Sequence, residues 1–189
     1  MEPNERIDTL YTLSLAITPE ETLEATATTA LEAYLSELSC SVGAVYERRE
    51  GGDYRVVDGA VGGDEPLSAA AERRLRRWAA DDPGCEPLPI AGTADGDGYY
   101  HLFELPDFGV LLLGRRGSPL AESVQNGLGP LNEQLATACT TKQVKTTLSD
   151  ARRRFAALFT TITDPMVSVV ITEAGCEINR TNEPFTETF

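Results

Sequence analysis

The sequence predicts an α+β fold: an antiparallel central sheet flanked by helices, with a long C-terminal helix leading into the start of a second fold. Three observations predict it. Helical and strand-like patterns follow one another as helix, helix, hairpin, helix, strand, hairpin, helix, an order that suits an antiparallel sheet. The run Gly109-Val110-Leu111-Leu112-Leu113-Gly114 is continuously apolar, so both its faces need cover and it is the expected central strand. Apolar residues then recur at spacings of three and four from Val124 to Ile162, the period of a long helix with one apolar stripe.

Taken in order, Ile7, Leu10, Leu13, Ser14 and Ile17 form a short helical stripe. Thr18-Pro19-Glu20-Glu21 follows as a helix start, with Thr18 as cap and Pro19 in the first turn. Leu23, Ala27, Ala30, Leu31, Tyr34 and Leu38 give the second helix one buried face. Val42 to Tyr46 and Tyr54 to Ala60 read as a hairpin across Gly51-Gly52-Asp53. Ser68 is the expected cap of a third helix carrying Ala71, Leu75 and Trp78, which Asp82-Pro83-Gly84 ends. Glu86 to Ile90 reads as a proline-bracketed edge strand, Ala91 to Gly98 as a loop, and Tyr99 to Leu105 with Phe108 to Arg115 as a second hairpin. Ser118-Pro119 should start the last helix, and Gly127, Gly129 and Pro130 should bend or interrupt it. Within it, Val124, Leu128, Leu131, Leu135 and Ala138 keep one register, and Val144, Leu148, Ala151, Phe155, Leu158 and Ile162 keep another. The two do not join, which implies a phase shift near residue 140. Asp164-Pro165 ends the helix.

Composition bounds the function. Of 189 residues, 41% are hydrophobic, enough for a real core, and the net charge is −14. Such a field repels nucleic acid and anionic membranes. No signal peptide or membrane-crossing run is read, so a cytoplasmic chain is expected. Fourteen of the sixteen basic residues are arginine, and an acidic, lysine-poor chain fits a salt-adapted protein in which screening relieves self-repulsion. Residues 1–100 carry net −12 and residues 101–189 only −2, which leaves the second half better suited to chain–chain contact. Cys40, Cys85, Cys139 and Cys176 form no CxxC, and His101 is the one histidine. No metal site is expected, and the thiols are expected free. None of the GxGxxG, GxxxxGK[ST], GxSxG or HExxH patterns occurs, so no catalytic residues are assigned.

The hairpin Leu105-Pro106-Asp107-Phe108-Gly109-Val110-Leu111-Leu112-Leu113-Gly114, followed by the helix carrying Leu128-Gly129-Pro130-Leu131-Asn132-Glu133-Gln134-Leu135-Ala136-Thr137-Ala138, resembles the end of a GAF domain. The order of elements upstream extends the resemblance over residues 20–140. Residues 155–189 resemble the beginning of a PAS domain, through Phe155, Leu158, Phe159, Asp164-Pro165, Val167 to Ile171, Ala174-Gly175, Ile178, Asn182, Phe185 and Phe189. The organisation expected is an N-terminal helix (1–19), a GAF-like sensory domain (20–140), a signalling linker helix (141–163) and the start of a truncated PAS domain (164–189). A complete PAS fold needs further strands, so the chain reads as a fragment of a longer signalling protein of salt-adapted, halophilic archaeal type.

The resemblance implies a non-catalytic sensory or regulatory module of a histidine kinase or transcription regulator. It would bind a small molecule of unknown identity, work as a homodimer, and pass its signal along the linker helix. Alternatives are a structural dimerisation unit without ligand and a GAF-fold thiol-dependent reductase. A ligand would contact Trp78, Cys85, Tyr99, His101 and Phe103. Glu86 follows Cys85 where bilin-binding relatives carry histidine, and no lysine precedes position 142 to supply a cyclic-nucleotide signature, so no cofactor is named. Arg73, Arg76 and Arg77 are expected to share a helix face that meets an anion or acidic partner. The dimer seam is expected at Leu131, Leu135, Val144, Leu148, Phe155, Leu158 and Ile162.

Overall fold

The computed structural model describes residues 3–61, 64–80, 87–94, 96–172 and 175–188. They fall into two compact units, residues 1–143 and 144–189. The first opens with helices α1 (Pro3–Ala16) and α2 (Leu23–Glu37). Strands β1 (Val42–Arg48) and β2 (Tyr54–Val61) follow, then helix α3 (Glu65–Ala79) and strands β3 (Ile90–Thr93), β4 (Gly98–Leu105) and β5 (Gly109–Arg116). Helix α4 (Glu122–Thr161) begins in the first unit and ends in the second.

The sheet order is β2-β1-β5-β4-β3, and every neighbouring pair is antiparallel. The apolar run 109–114 is therefore the middle strand, as its composition predicts. Leu111 and Leu113 enter one core with Phe103 and Leu105, under α1, α2 and the first part of α4. Val110 and Leu112 enter another with Tyr100 and Leu102, under Leu67, Ala71 and Leu75 of α3. The turn joining β1 to β2 has left-handed backbone at Gly51 and Gly52, a conformation only glycine adopts freely.

Helix starts are where tertiary structure overrules the sequence signals. Helix α2 starts at Leu23, with Thr22 and not Thr18 as its cap: Thr22 Oγ1 accepts from the Ala25 N–H at 3.0 Å. Buried Thr26 accepts from the Glu20 N–H at 3.0 Å, which ties the Pro19-Glu20 segment down as a loop. Helix α3 starts at Glu65, with Asp64 and not Ser68 at the cap position and Pro66 in its first turn. The Asp64 carboxylate turns instead to Arg116, whose Nε and Nη2 reach its two oxygens at 2.6 and 2.7 Å. That hydrogen bonding holds Asp64 below the usual carboxylate range. Asp82-Pro83-Gly84 lies outside the described residues. Of the expected strand Glu86–Ile90, Glu86 lies outside the described residues and the strand begins only at Ile90, running to Thr93, because Ile90 is the buried residue paired with Leu102 and the register runs forward from it into the expected loop.

Helix α4 starts at Glu122 rather than at Ser118-Pro119, since buried Leu120 is held outside it by a bond to His101. It continues through Gly127, Gly129 and Pro130. Core residues on both sides of the proline, Leu128, Leu131 and Leu135, keep it in register despite the missing N–H. A side chain at 127 would press on Leu10 at 2.8 Å, so glycine there lets α1 lie close. Buried Tyr34 of α2 donates to Asn132 Oδ1 of α4 at 2.9 Å, which satisfies both polar groups inside the core.

In the second unit, β6 (Val167–Thr172) and β7 (Gly175–Thr181) form an antiparallel hairpin followed by α5 (Glu183–Thr188). Buried Asn182 is its hub: Nδ2 donates to the carbonyls of Ile162 and Asp164, and Oδ1 accepts from the Met166 and Phe185 N–H groups. Phe159 is buried against Phe155, with the Arg180 guanidinium 5.4 Å from its ring centroid. Val167, Val169, Val170, Ile171 and Ile178 of the hairpin are exposed.

Candidate functional site

Helix α3 presents three faces, and each meets something different. Leu67, Ala71 and Leu75 enter the core. Glu72, Leu75, Arg76 and Ala79, at spacings of three, one and three, turn toward the β1–β2 hairpin. There, with Tyr46, Tyr54, Val56 and the 51–53 turn, they line a pocket of about 740 Å³. Ala70, Arg73, Arg74 and Arg77 turn the other way, toward β3, and with Thr93 and Tyr100 line a smaller cleft of about 180 Å³.

The larger pocket has aromatic walls and a charged rim. Tyr46 is buried, and burial together with the neighbouring Glu72 carboxylate holds its hydroxyl protonated far beyond neutral pH. Glu72 pairs with Arg76 at 3.5 Å across one helical turn, both on the exposed side. Tyr54 packs against Trp78 with ring centroids 5.9 Å apart, and burial raises the Tyr54 pKa as well. Two phenols, a carboxylate and a guanidinium around an apolar floor can stack on a small planar molecule and hydrogen-bond its polar end.

Of the side chains expected around a ligand, Tyr99, His101 and Phe103 share one face of β4 and Trp78 is separated from them. Trp78 lies with the α3 core, whereas Phe103 lies in the core beneath α1, α2 and α4, on the opposite face of the sheet. His101 stacks on Phe103, with centroids 6.0 Å apart and planes 18° apart. Tyr99, half-buried, alternates onto their side of β4. Cys85 lies outside the described residues. Strand alternation separates these faces in the sequence, but it does not say which helix covers which. Tyr46, Tyr54 and Glu72 carry no signal of a pocket in the sequence for the same reason, since nothing local marks an aromatic on a hairpin as facing a helix twenty residues away.

His101 is a structural peg. It is 1% exposed, its Nε2 accepts from the Leu120 N–H at 3.1 Å, and its Nδ1 has no partner among the described residues. Burial first, and then the Arg115 charge, lower its pKa from 6.5 to about 4. On acidification the unfolded chain takes up a proton that the folded imidazole refuses. Stability present above pH 6.5 is therefore lost as the pH falls toward 4. Urea unfolding between pH 7 and pH 4 should show this slope in the parent chain and a flatter one in His101→Gln. Equal slopes would assign the proton to another group.

The arginine set divides too. Arg76 belongs to the large pocket, while Arg74, not singled out by the sequence, joins Arg73 and Arg77 in the small cleft. Of the expected seam, Leu131 and Leu135 are core residues of the first unit, so that register is spent within the chain. Val144, Leu148, Phe155 and Leu158 are at least half exposed, and Ile162 is half-buried beyond the end of α4. Burial raises the thiol of Cys40 to about 11 and that of Cys139 to about 12, so neither is a thiolate at neutral pH. Among the described residues no helix is long and apolar enough to cross a membrane.

No family model matches the sequence, and no curated protein matches it. Solved structures do. The chain is similar to the GAF domain of a phosphoenolpyruvate-protein phosphotransferase from Acinetobacter, with a TM-score of 0.54 and 13% identity over 78% of this chain and 99% of that one. It is similar also to the GAF domain of a protein described as a sensor histidine kinase from Pseudomonas syringae pv. tomato, with a TM-score of 0.53 and 18% identity over 77% and 92% of the two chains. At such identities the likeness is one of architecture: the five-stranded antiparallel sheet with its flanking helices is a GAF-type fold.

Proposed function

We propose that this chain is a sensory and regulatory module of a cytoplasmic, salt-adapted signalling protein. In this reading it works as a homodimer whose helix α4 relays the state of the GAF-type unit to the hairpin beyond residue 164, the opening of a PAS domain. The observation that carries the proposal is the change of register along α4. Its first stripe, through Leu128, Leu131 and Leu135, is buried in the chain's own core. Its second, Val144, Leu148, Phe155 and Leu158, keeps heptad spacing and stays exposed, at 60%, 51%, 50% and 61%. An exposed apolar stripe at that period is what a second helix covers. The nearly neutral charge of residues 101–189 leaves little repulsion against a like chain.

Small-molecule binding fits the pocket of Tyr46, Tyr54, Glu72 and Arg76 better than the set around His101, because His101 and Phe103 are fully enclosed. No catalytic role is proposed, and the buried thiols of Cys40 and Cys139 lend nothing to the reductase alternative. Sedimentation of the full chain tests the seam. The parent is expected to be dimeric, and Leu148→Glu with Phe155→Glu should weaken association by about 100-fold or more, since each buries a charge in the core of the contact. A monomeric parent, or a dimer indifferent to both substitutions, overturns the reading.

A further inference from the structure

We propose that the cleft between α3 and β3, formed by Arg73, Arg74 and Arg77 over Thr93 and Tyr100, binds the phosphoryl group of a small soluble molecule. The site is separate from the larger pocket and does not depend on it. Ala70, Arg73, Arg74 and Arg77 fall at spacings of three, one and three, which places them on one helix face, and all four line the cleft. In a chain of net charge −14, arginines are expected to find carboxylates. Four of the fourteen, Arg55, Arg76, Arg116 and Arg153, do. Among the described residues none of Arg73, Arg74 and Arg77 has a carboxylate within 4.0 Å. Like charges one turn apart on a helix repel, so keeping three of them together with no counter-charge among the described residues is a standing cost that a bound anion removes.

The floor of the cleft is shaped for an oxygen-rich group. Tyr100 is paired in register with Gly92 on the edge strand, and any side chain at 92 would overlap the Tyr100 ring and hydroxyl. Glycine there lets the phenol lie across β3, and Thr93, the next residue, also lines the cleft. Three guanidinium forks and two hydroxyls offer more donors than one carboxylate can accept, and their charge matches a dianion with several oxygens. A volume of about 180 Å³ admits a phosphoryl group but not a length of polypeptide.

Titration calorimetry of the full chain at fixed ionic strength, with inorganic phosphate and then pyrophosphate, tests the assignment. One saturable site per chain is expected, tighter for pyrophosphate. Arg74→Gln with Arg77→Gln should weaken it by about tenfold or more, while Arg76→Gln, on the other face of α3, should leave it unchanged. Absence of binding by either anion, binding indifferent to the double substitution, or an equal loss in Arg76→Gln would overturn the proposal. Should the double variant lose its circular dichroism signal, Thr93→Val and Tyr100→Phe decide. Both keep every charge, both should weaken binding severalfold, and unchanged affinity in both would overturn the site.

Discussion

Leu111→Ala is expected to destabilise the chain by about 2–5 kcal/mol. Leu111 is fully buried in the middle of the central strand and belongs to the core that joins α1, α2 and the first part of α4 to the sheet. Truncation removes the burial of three carbons and leaves a space that β5 cannot close by moving. Its backbone is hydrogen-bonded on both sides, with Leu111 paired to Val45 on β1 and to Phe103 on β4. A domain of this size has only about 5–15 kcal/mol of stability in total, so the melting temperature should fall by roughly 5–15 °C. Thermal unfolding followed by far-ultraviolet circular dichroism measures it, and a change below 1 kcal/mol would mean that β5 is not the centre of the sheet.

Gly109→Ala should cost about 3 kcal/mol or more, although it adds one methyl group and removes nothing. A β-carbon at 109 would overlap the carbonyl group of Tyr46 and crowd the N–H of Arg48. The obstruction is backbone and not the tip of a flexible side chain. Relief therefore requires β1 and β5 to part where Glu47 is paired with Gly109. Contrast Gly43, whose β-carbon would press on the methyl groups of Leu31 and Leu35, at 2.8 and 2.9 Å, and meet backbone only at the Leu112 carbonyl oxygen, 3.4 Å away. Alanine there should be the milder of the two. Denaturant unfolding of both variants compares them directly, and a larger loss at 43 than at 109 would contradict the strand pairing described here.

The three faces of α3 carry the functional argument of the first unit. One face packs the core, one completes an aromatic pocket and one gathers three arginines that pair with no carboxylate among the described residues. A single helix thus separates two prospective binding regions by about 160° of rotation. Substitutions at Arg76 and at Arg74 with Arg77 consequently report on different sites, even though the four arginines from 73 to 77 look like one cluster in the sequence.

Local chemistry in the chain was sufficient for the elements and their kind. Alternation in 99–105, the unbroken apolar run 109–114, the Gly51-Gly52 turn and the spacing of Leu23 to Leu38 each depend on neighbours a few residues away, and all four survive in the fold. The break in register near residue 140 was legible for the same reason, and it separates a buried stripe from an exposed one. Only the tertiary structure decided where helices begin, because Thr26, Arg116 and His101 reach back from other positions to hold Glu20, Asp64 and Leu120 outside them. It alone decided which face of β4 lies beneath α3, and hence that Trp78 and Phe103 are on opposite sides of the sheet. Period and propensity are properties of a segment; the pairing of faces is fixed by burial summed over the whole unit, and no segment carries that sum.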